Sequence, residues 1–287
     1  MHHHISWFLT LRFFTTIALQ IKMTVLGYFL YQISGEAISL GLLGLYEAIP
    51  RIGLALPAGY LVEGMDKKKA LQFVIYGYFL SCLFLYLALR FLQHDPELIR
   101  LIVYIIVFFM GIIGSMSAAA SVTMFSLLIP QNEMAKYSAI NSNSWQLGAV
   151  TGPILGGWLL YSIGSTDSIL VILFCMLISI VSIHRLPSKP VLEKRSLSLV
   201  DSLSQMKEGL QFVLHKKVML WAISLDLFAV LFGGCVALLP VFATDILHVS
   251  SREYGWLRAA MPLGAVLAMV ILAKNPPNKH TGKYLLM

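Results

Sequence analysis

Eight stretches of this sequence are each long and apolar enough to cross a lipid bilayer, which leaves few folds open to it. They cover residues 7–32, 38–62, 70–93, 101–128, 139–163, 167–185, 218–243 and 255–273. A spanning helix needs about 20 mainly apolar residues. Inside hydrocarbon every backbone polar group must be bonded by another, so only helices and closed barrels cross. Barrel strands would alternate apolar and polar residues over about 10 positions, and these runs do not. The expected fold is therefore an all-α membrane protein, a helical bundle whose short connections make consecutive helices antiparallel. Composition points the same way. With 58% hydrophobic and 12% charged residues, the chain lacks the polar surface to cover a water-soluble globule, which usually carries about 25% charged residues.

Basic residues set the expected orientation. Lys67, Lys68 and Lys69 follow the second stretch, Lys136 the fourth, a basic segment from Arg185 to Lys217 the sixth, and Lys274, Lys279 and Lys283 the eighth. The opposite connections hold Arg100 and Arg252, with Arg90 nearby. The positive-inside rule then puts the N-terminus and the even-numbered connections in the cytoplasm. The same bias accounts for the net charge of +7 without nucleic acid as a partner.

One connection is long. Residues 186–217 are polar and basic, and within them Leu199, Leu203, Met206, Leu210 and Val213 recur at helical spacing after a Ser198/Asp201 cap. An amphipathic helix at the membrane surface is the reading. The expected organisation is a six-helix half over 1–185, a cytoplasmic linker over 186–217, and the start of a second half over 218–287. Six helices, a basic linker and further helices is the layout of a transporter built from repeated halves.

Several chemistries find no support. No G-x-x-x-x-G-K-[ST] phosphate loop occurs. The histidines at 94, 184, 215, 248 and 280 fall at helix ends or in connections and form no metal cluster, and His2, His3 and His4 carry no functional weight. Cys82, Cys175 and Cys235 lie in apolar runs and read as small hydrophobes. Serines such as Ser115 and Ser121 lack an intramembrane histidine. The chain reads as neither enzyme nor cofactor protein.

Charges inside spanning segments are expensive and usually face a cavity. Glu47 and Arg51 stand four apart on one helix face and can pair. Lys22 lies mid-helix and Asp226 several residues into the seventh stretch, while Arg12 is close enough to an end to snorkel. Lys22, Glu47, Arg51 and Asp226 are the cavity candidates. For Glu47 two readings stay open: a carboxylate that gains and loses a proton, or a static ion pair.

Two motifs carry a family resemblance. After the second stretch, Gly59, Leu61, Glu63, Asp66, Lys67 and Lys68 form a turn with an acid and a basic pair. This is similar to the G-x-L-a-D-r-x-G-r-[rk] loop of the major facilitator superfamily, with Glu63 for the acid and Asp66 replacing the second glycine. The physical reading is a latch in which Glu63 bonds helix termini or basic groups, set against a plain solvated charge run. In the fifth stretch, Gly148, Gly152, Pro153, Gly156 and Gly157 resemble the G-x-x-x-G-P-x-x-G-G element of that superfamily's exporter branches. Glycines four apart permit close helix approach, and Pro153 permits a bend.

Further segments, from Gly41 to Leu61, from Asn141 to Gly157, Lys207 to Phe212 and Gly255 to Ala260, resemble the enterobactin-exporter-like, or transmembrane secretion effector, branch. The resemblance implies a bundle of twelve helices, of which about eight are present, so the chain reads as truncated after the eighth. It also implies a monomeric, multi-pass exporter of the bacterial inner membrane, moving drug-like molecules or siderophores by alternating access against a proton. A lysolipid flippase-like transporter, and a scaffold or inactive fragment, are the alternatives. One departure stands out: Val107, Met110 and Gly111 occupy a region where many drug exporters carry an arginine.

Overall fold

The computed structural model describes residues 2–92, 95–188, 211–228 except 217, 218, 222 and 226, and 234–274. The helices are α1 (His2–Ser34), α2 (Ala37–Gly53), α3 (Ala55–Gly64), α4 (Lys67–Phe91), α5 (Pro96–Leu128), α6 (Met134–His184) and α7 (Ser251–Lys274). The described end of the seventh apolar run is a chain of short turns from Gly234 to Ile246, closing with one π turn over Phe242–Ile246. Most of the predicted linker helix lies outside the described residues.

The second run is one span broken in two: α2 and α3 meet at 52°. Pro57 explains the position of the break. It has no N–H for the Gly53 carbonyl four residues back, and its ring crowds that carbonyl. The fifth and sixth runs form the 51 residues of α6, reversed at Gly164, whose φ of 78° and ψ of 178° lie outside the helical region. A left-handed φ there is tolerable because glycine has no Cβ.

Contacts fix the helix directions. Gly148, Gly152 and Gly156 lie against Thr16, Gln20 and Thr24 in turn, so the first arm of α6 runs parallel to α1. Thr15 bonds Ser179 and His4 bonds the Arg185 carbonyl, so the second arm runs antiparallel to α1. Phe8 on Phe125 and Arg12 on Ser121 make α5 antiparallel to α1 as well. α7 descends along the first arm, from Gly157 beside Gly255 to Gln146 beside Pro262. α1 is thus the central helix, with Ala18, Ile21, Val25, Leu26 and Leu30 fully buried.

Of the boundaries that differ from the sequence reading, two bear on the contacts at the basic end. α1 begins at His2, and α4 begins at Lys67, so the three lysines form its first turn. Asp66 makes that start possible by capping it.

Candidate functional site

The intramembrane charges of α1 and α2 come together inside the bundle. Lys22 Nζ lies 2.9 Å from Glu47 Oε2, and Arg51 Nη2 lies 3.3 Å from Glu47 Oε1. Lys22 is 1% exposed and Arg51 43%, so one cation is sealed in protein while the other faces outward. Arg51 also donates to the Tyr78 hydroxyl of α4 at 3.4 Å. A carboxylate shared by two cations offsets the cost of placing charge in a medium of low dielectric. It also forms a junction that must rearrange if any member changes its charge.

Two glycines of α5 make room for this junction. A Cβ on Gly111 would sit 2.4 Å from the Glu47 carbonyl oxygen and 2.6 Å from the Pro50 ring. A Cβ on Gly114 would sit 2.7 Å from the Arg51 guanidinium. The place where an arginine is absent is therefore where α2 and α5 pack backbone to backbone, and any side chain would drive them apart. Asp226 lies outside the described residues.

At the basic end of the bundle the loop between α3 and α4 ties three helix termini. Asp66 Oδ1 accepts from the Lys68 and Lys69 amides at 2.8 and 3.2 Å, and Asp66 Oδ2 accepts from Ser188 at 2.6 Å. Burial alone would push the Asp66 carboxyl up, but the Ser188 hydroxyl and the two amides hold it below the usual carboxylate range. Lys67 Nζ closes the C-terminus of α3 through the Val62 and Glu63 carbonyls at 2.8 and 2.6 Å. Lys68 Nζ reaches the His184 and Leu186 carbonyls at the end of α6, at 3.1 and 2.5 Å. Cations belong at those carbonyl ends.

The expectation for Glu63 needs correcting. Its side chain is exposed, and among the described residues no hydrogen bond or ion pair reaches its carboxylate; only its backbone carbonyl takes part. The reason is position. Glu63 lies in the last turn of α3, where free carbonyls repel an acid, whereas Asp66 immediately precedes the free N–H groups of α4. Gly59 and Gly64 have open space where a Cβ would stand, and Leu61 is exposed.

The glycines of α6 divide between two neighbours. Gly148, Gly152 and Gly156 face α1; a Cβ on Gly152 would lie 2.4 Å from the Gln20 Cβ. Gly157 faces α7, where a Cβ would lie 2.5 Å from the Ser251 carbonyl oxygen and 2.6 Å from the Gly255 Cα. Beside Pro153, a cavity of about 300 Å³ opens between α1, α6, α7 and Val236, with Gln20, Gln146 and Arg258 among its lining residues. Towards the opposite end of the bundle α1 is joined to the last turns before α7. Tyr31 donates to Asp245, whose other oxygen accepts from Thr244, and Tyr28 packs on Tyr254 with ring centres 5.4 Å apart.

Sequence reasoning passed over Tyr78, Gly114, Tyr31, Gln20 and Gln146. An amide side chain inside a long apolar run was the available signal for the last two. The contacts of Tyr78 and Gly114 depend on tertiary packing.

A multi-pass helical bundle with a charged junction in its interior and a small cavity beside a glycine seam is the build of a membrane transporter. The chain belongs to the Major Facilitator Superfamily, which it matches over residues 8–276. It is 24% identical over 212 residues to the enterobactin exporter EntS of Shigella flexneri, covering 71% of this chain and 47% of that one. The EntS of Shigella boydii serotype 4 (strain Sb227) is likewise 24% identical over 212 residues, with 71% and 48% covered. The chain thus spans about half the length of the curated relatives it matches. Among solved structures it resembles a D-xylose-proton symporter, with a TM-score of 0.55 and 16% identity over 91% of this chain and 69% of that one. A POT family transporter in complex with 5-aminolevulinic acid gives a TM-score of 0.51 at 16% identity, covering 84% and 52%. These two likenesses speak to the fold.

Proposed function

We propose that the protein serves as an ion-coupled exporter of amphipathic small molecules, such as drugs or siderophores, working by alternating access in the bacterial inner membrane. The observation that carries this reading is the Lys22–Glu47–Arg51 junction on a proline-broken span. Protonation of Glu47 would release Lys22 and Arg51 from their shared partner and let α2 shift on α1. Deprotonation would restore the junction, so that one proton exchanged at Glu47 accompanies each change of access. Arg51, more exposed than Lys22, is the member placed to follow such a change. Asp226 is retained as a second candidate on the seventh span.

Two further elements complete the reading. The Asp66, Lys67 and Lys68 cluster holds the ends of α3, α4 and α6 together at the face taken as cytoplasmic. Gly148, Gly152 and Gly156 seat α6 on α1 within the first half, and Gly157 lets that half meet α7 closely enough to rock against it. The exporter relatives favour outward movement, and the unit of function is taken to be a monomer.

The test measures retention of a loaded catecholate siderophore and of an amphipathic dye in cells with and without the chain, with and without a protonophore. Expression-dependent loss of either compound, abolished by the protonophore, supports the proposal. Retention unchanged by expression for both compounds rejects it.

A further inference from the structure

The spanning segments carry a charge imbalance that the coupling junction does not resolve. Among the described residues of the spans, Lys22 and Arg51 share one carboxylate, Glu47, while Arg12 and Arg258 have no ion-pair partner. Even a carboxylate at Asp226 would leave this set net positive. Isolated charge at membrane depth is costly, so an excess of one sign calls for a counter-charge supplied from elsewhere.

Arg258 shows where that counter-charge would sit. It lines the cavity of about 300 Å³ with Gln20, Trp145, Gln146, Met261 and Pro262, and among the described residues that wall holds no acid. One guanidinium nitrogen donates to the Tyr254 hydroxyl at 3.4 Å. Tyr254 is fully buried and packs on Tyr28, so the arginine is held by a rigid partner on its own helix. No ion pair reaches Arg258 among the described residues, and its remaining N–H donors are left for a ligand. Gln146 is fixed by its bond to the Pro262 carbonyl at 2.9 Å. Trp145, 45% exposed, presents an indole to the same space.

We propose that this cavity binds the anionic end of an aromatic cargo. The guanidinium meets a carboxylate or phenolate-type oxygen, the Gln20 and Gln146 amides bond its neighbours, and the ring packs on Trp145. The volume is at the small end for ligand sites, which run from about 300 Å³ upwards, and suits one or two fused rings. The inference deepens the transporter reading and rests on it for treating the bound molecule as cargo.

Binding is measured directly on the purified chain in lipid nanodiscs, with empty nanodiscs as the blank for partitioning. The probes are 2-naphthoate and its uncharged isostere 2-naphthamide. Naphthoate is expected to bind at least about tenfold more tightly than naphthamide, the margin of one hydrogen bond to a charged group. Arg258→Gln should remove that margin by weakening naphthoate far more than naphthamide, and Trp145→Ala should weaken both probes together. Equal affinity of the two probes for the unaltered chain would overturn the proposal, whatever the variants do. So would an unchanged margin in a folded Arg258→Gln protein. Failure of export in cells with the margin intact would reject the transporter reading alone, and the reverse pattern would reject this inference alone.

Discussion

Substituting Gly111 by alanine adds one methyl group at the tightest contact between α2 and α5, and its consequence follows from the geometry. The new Cβ would fall 2.4 Å from the Glu47 carbonyl oxygen and 2.6 Å from the Pro50 ring, neither of which is the free end of a flexible side chain. Restoring an ordinary van der Waals separation of about 3.5 Å requires α2 and α5 to part by roughly 1 Å. That displacement acts on the residue whose carboxylate holds Lys22 at 2.9 Å. Overpacking of this kind costs about 1–3 kcal/mol, a fall in melting temperature of about 2–4 °C for each kcal/mol in a chain of this size. Gly44→Ala on α2 is the control, because nothing lies within 4 Å of its Cβ position. There the same methyl should be neutral or stabilising by about 0.5–1 kcal/mol, the helix penalty of glycine. Thermal unfolding in nanodiscs, followed by tryptophan emission, reads both variants. A Gly111→Ala protein as stable as the unaltered chain would refute the reasoning, as would equal loss in both variants.

Glu47→Gln should abolish protonophore-sensitive export while protein abundance holds, because the amide still accepts a bond from Lys22. Glu47→Ala should lower abundance as well, since breaking a buried pair costs about 3–5 kcal/mol; quantitative blotting alongside the retention assay checks both. Asp66→Ala should destabilise by about 1 kcal/mol through loss of the α4 cap, whereas Glu63→Ala should stay within about 0.5 kcal/mol. Because the Asp66 carboxyl is held below its ordinary value of 3.8, its stabilisation is present above that pH and lost as pH falls through the lowered value. The difference in melting temperature between Asp66→Ala and the unaltered chain should therefore shrink in acid. Gly152→Leu should abolish export by forcing α6 off Gln20 of α1, with expression measured in parallel. A reporter after Lys69 should read cytoplasmic and one at Gly164 external.

The spans of this bundle were legible because each is a simple count of apolar residues bounded by charge. The break in the second span was harder to place. Pro50 and Pro57 both sit within it, and only the clash of Pro57 with the Gly53 carbonyl puts the bend at Leu54. Pairing of Glu47 with Arg51 needed no more than helical spacing. The arrival of Lys22 depends on how α1 and α2 cross, with α2 seated on Gly111 and Gly114 of a third helix. The acid in the α3–α4 loop was misread for a different reason. A motif alignment favoured Glu63, while capping depends on which residue stands just before the first free N–H groups. Starting the third helix at 70 instead of Lys67 hid that residue. The polar lining of the small cavity was visible only as isolated glutamines, because the facing residue, Arg258, comes more than a hundred positions later.

Some helix pairs in this bundle are keyed by side chains, such as Lys22 of α1 on Glu47 of α2, that would have to withdraw before one helix could turn on the other. Where Gly157 meets Gly255 there are no such keys: a Cβ on Gly255 would lie 2.6 Å from the Pro153 carbonyl oxygen and 2.9 Å from the Gly157 Cα, so the two backbones rest directly on each other. Their separation is fixed by hard contact, and the angle at which they cross is held further along by the bond from Gln146 to the Pro262 carbonyl. Were that bond to open, α7 could swivel about this point while staying in contact with α6. With the bond open, Pro262 and the residues beyond it would move further than Gly255, and the space around Arg258 would widen or narrow with the angle.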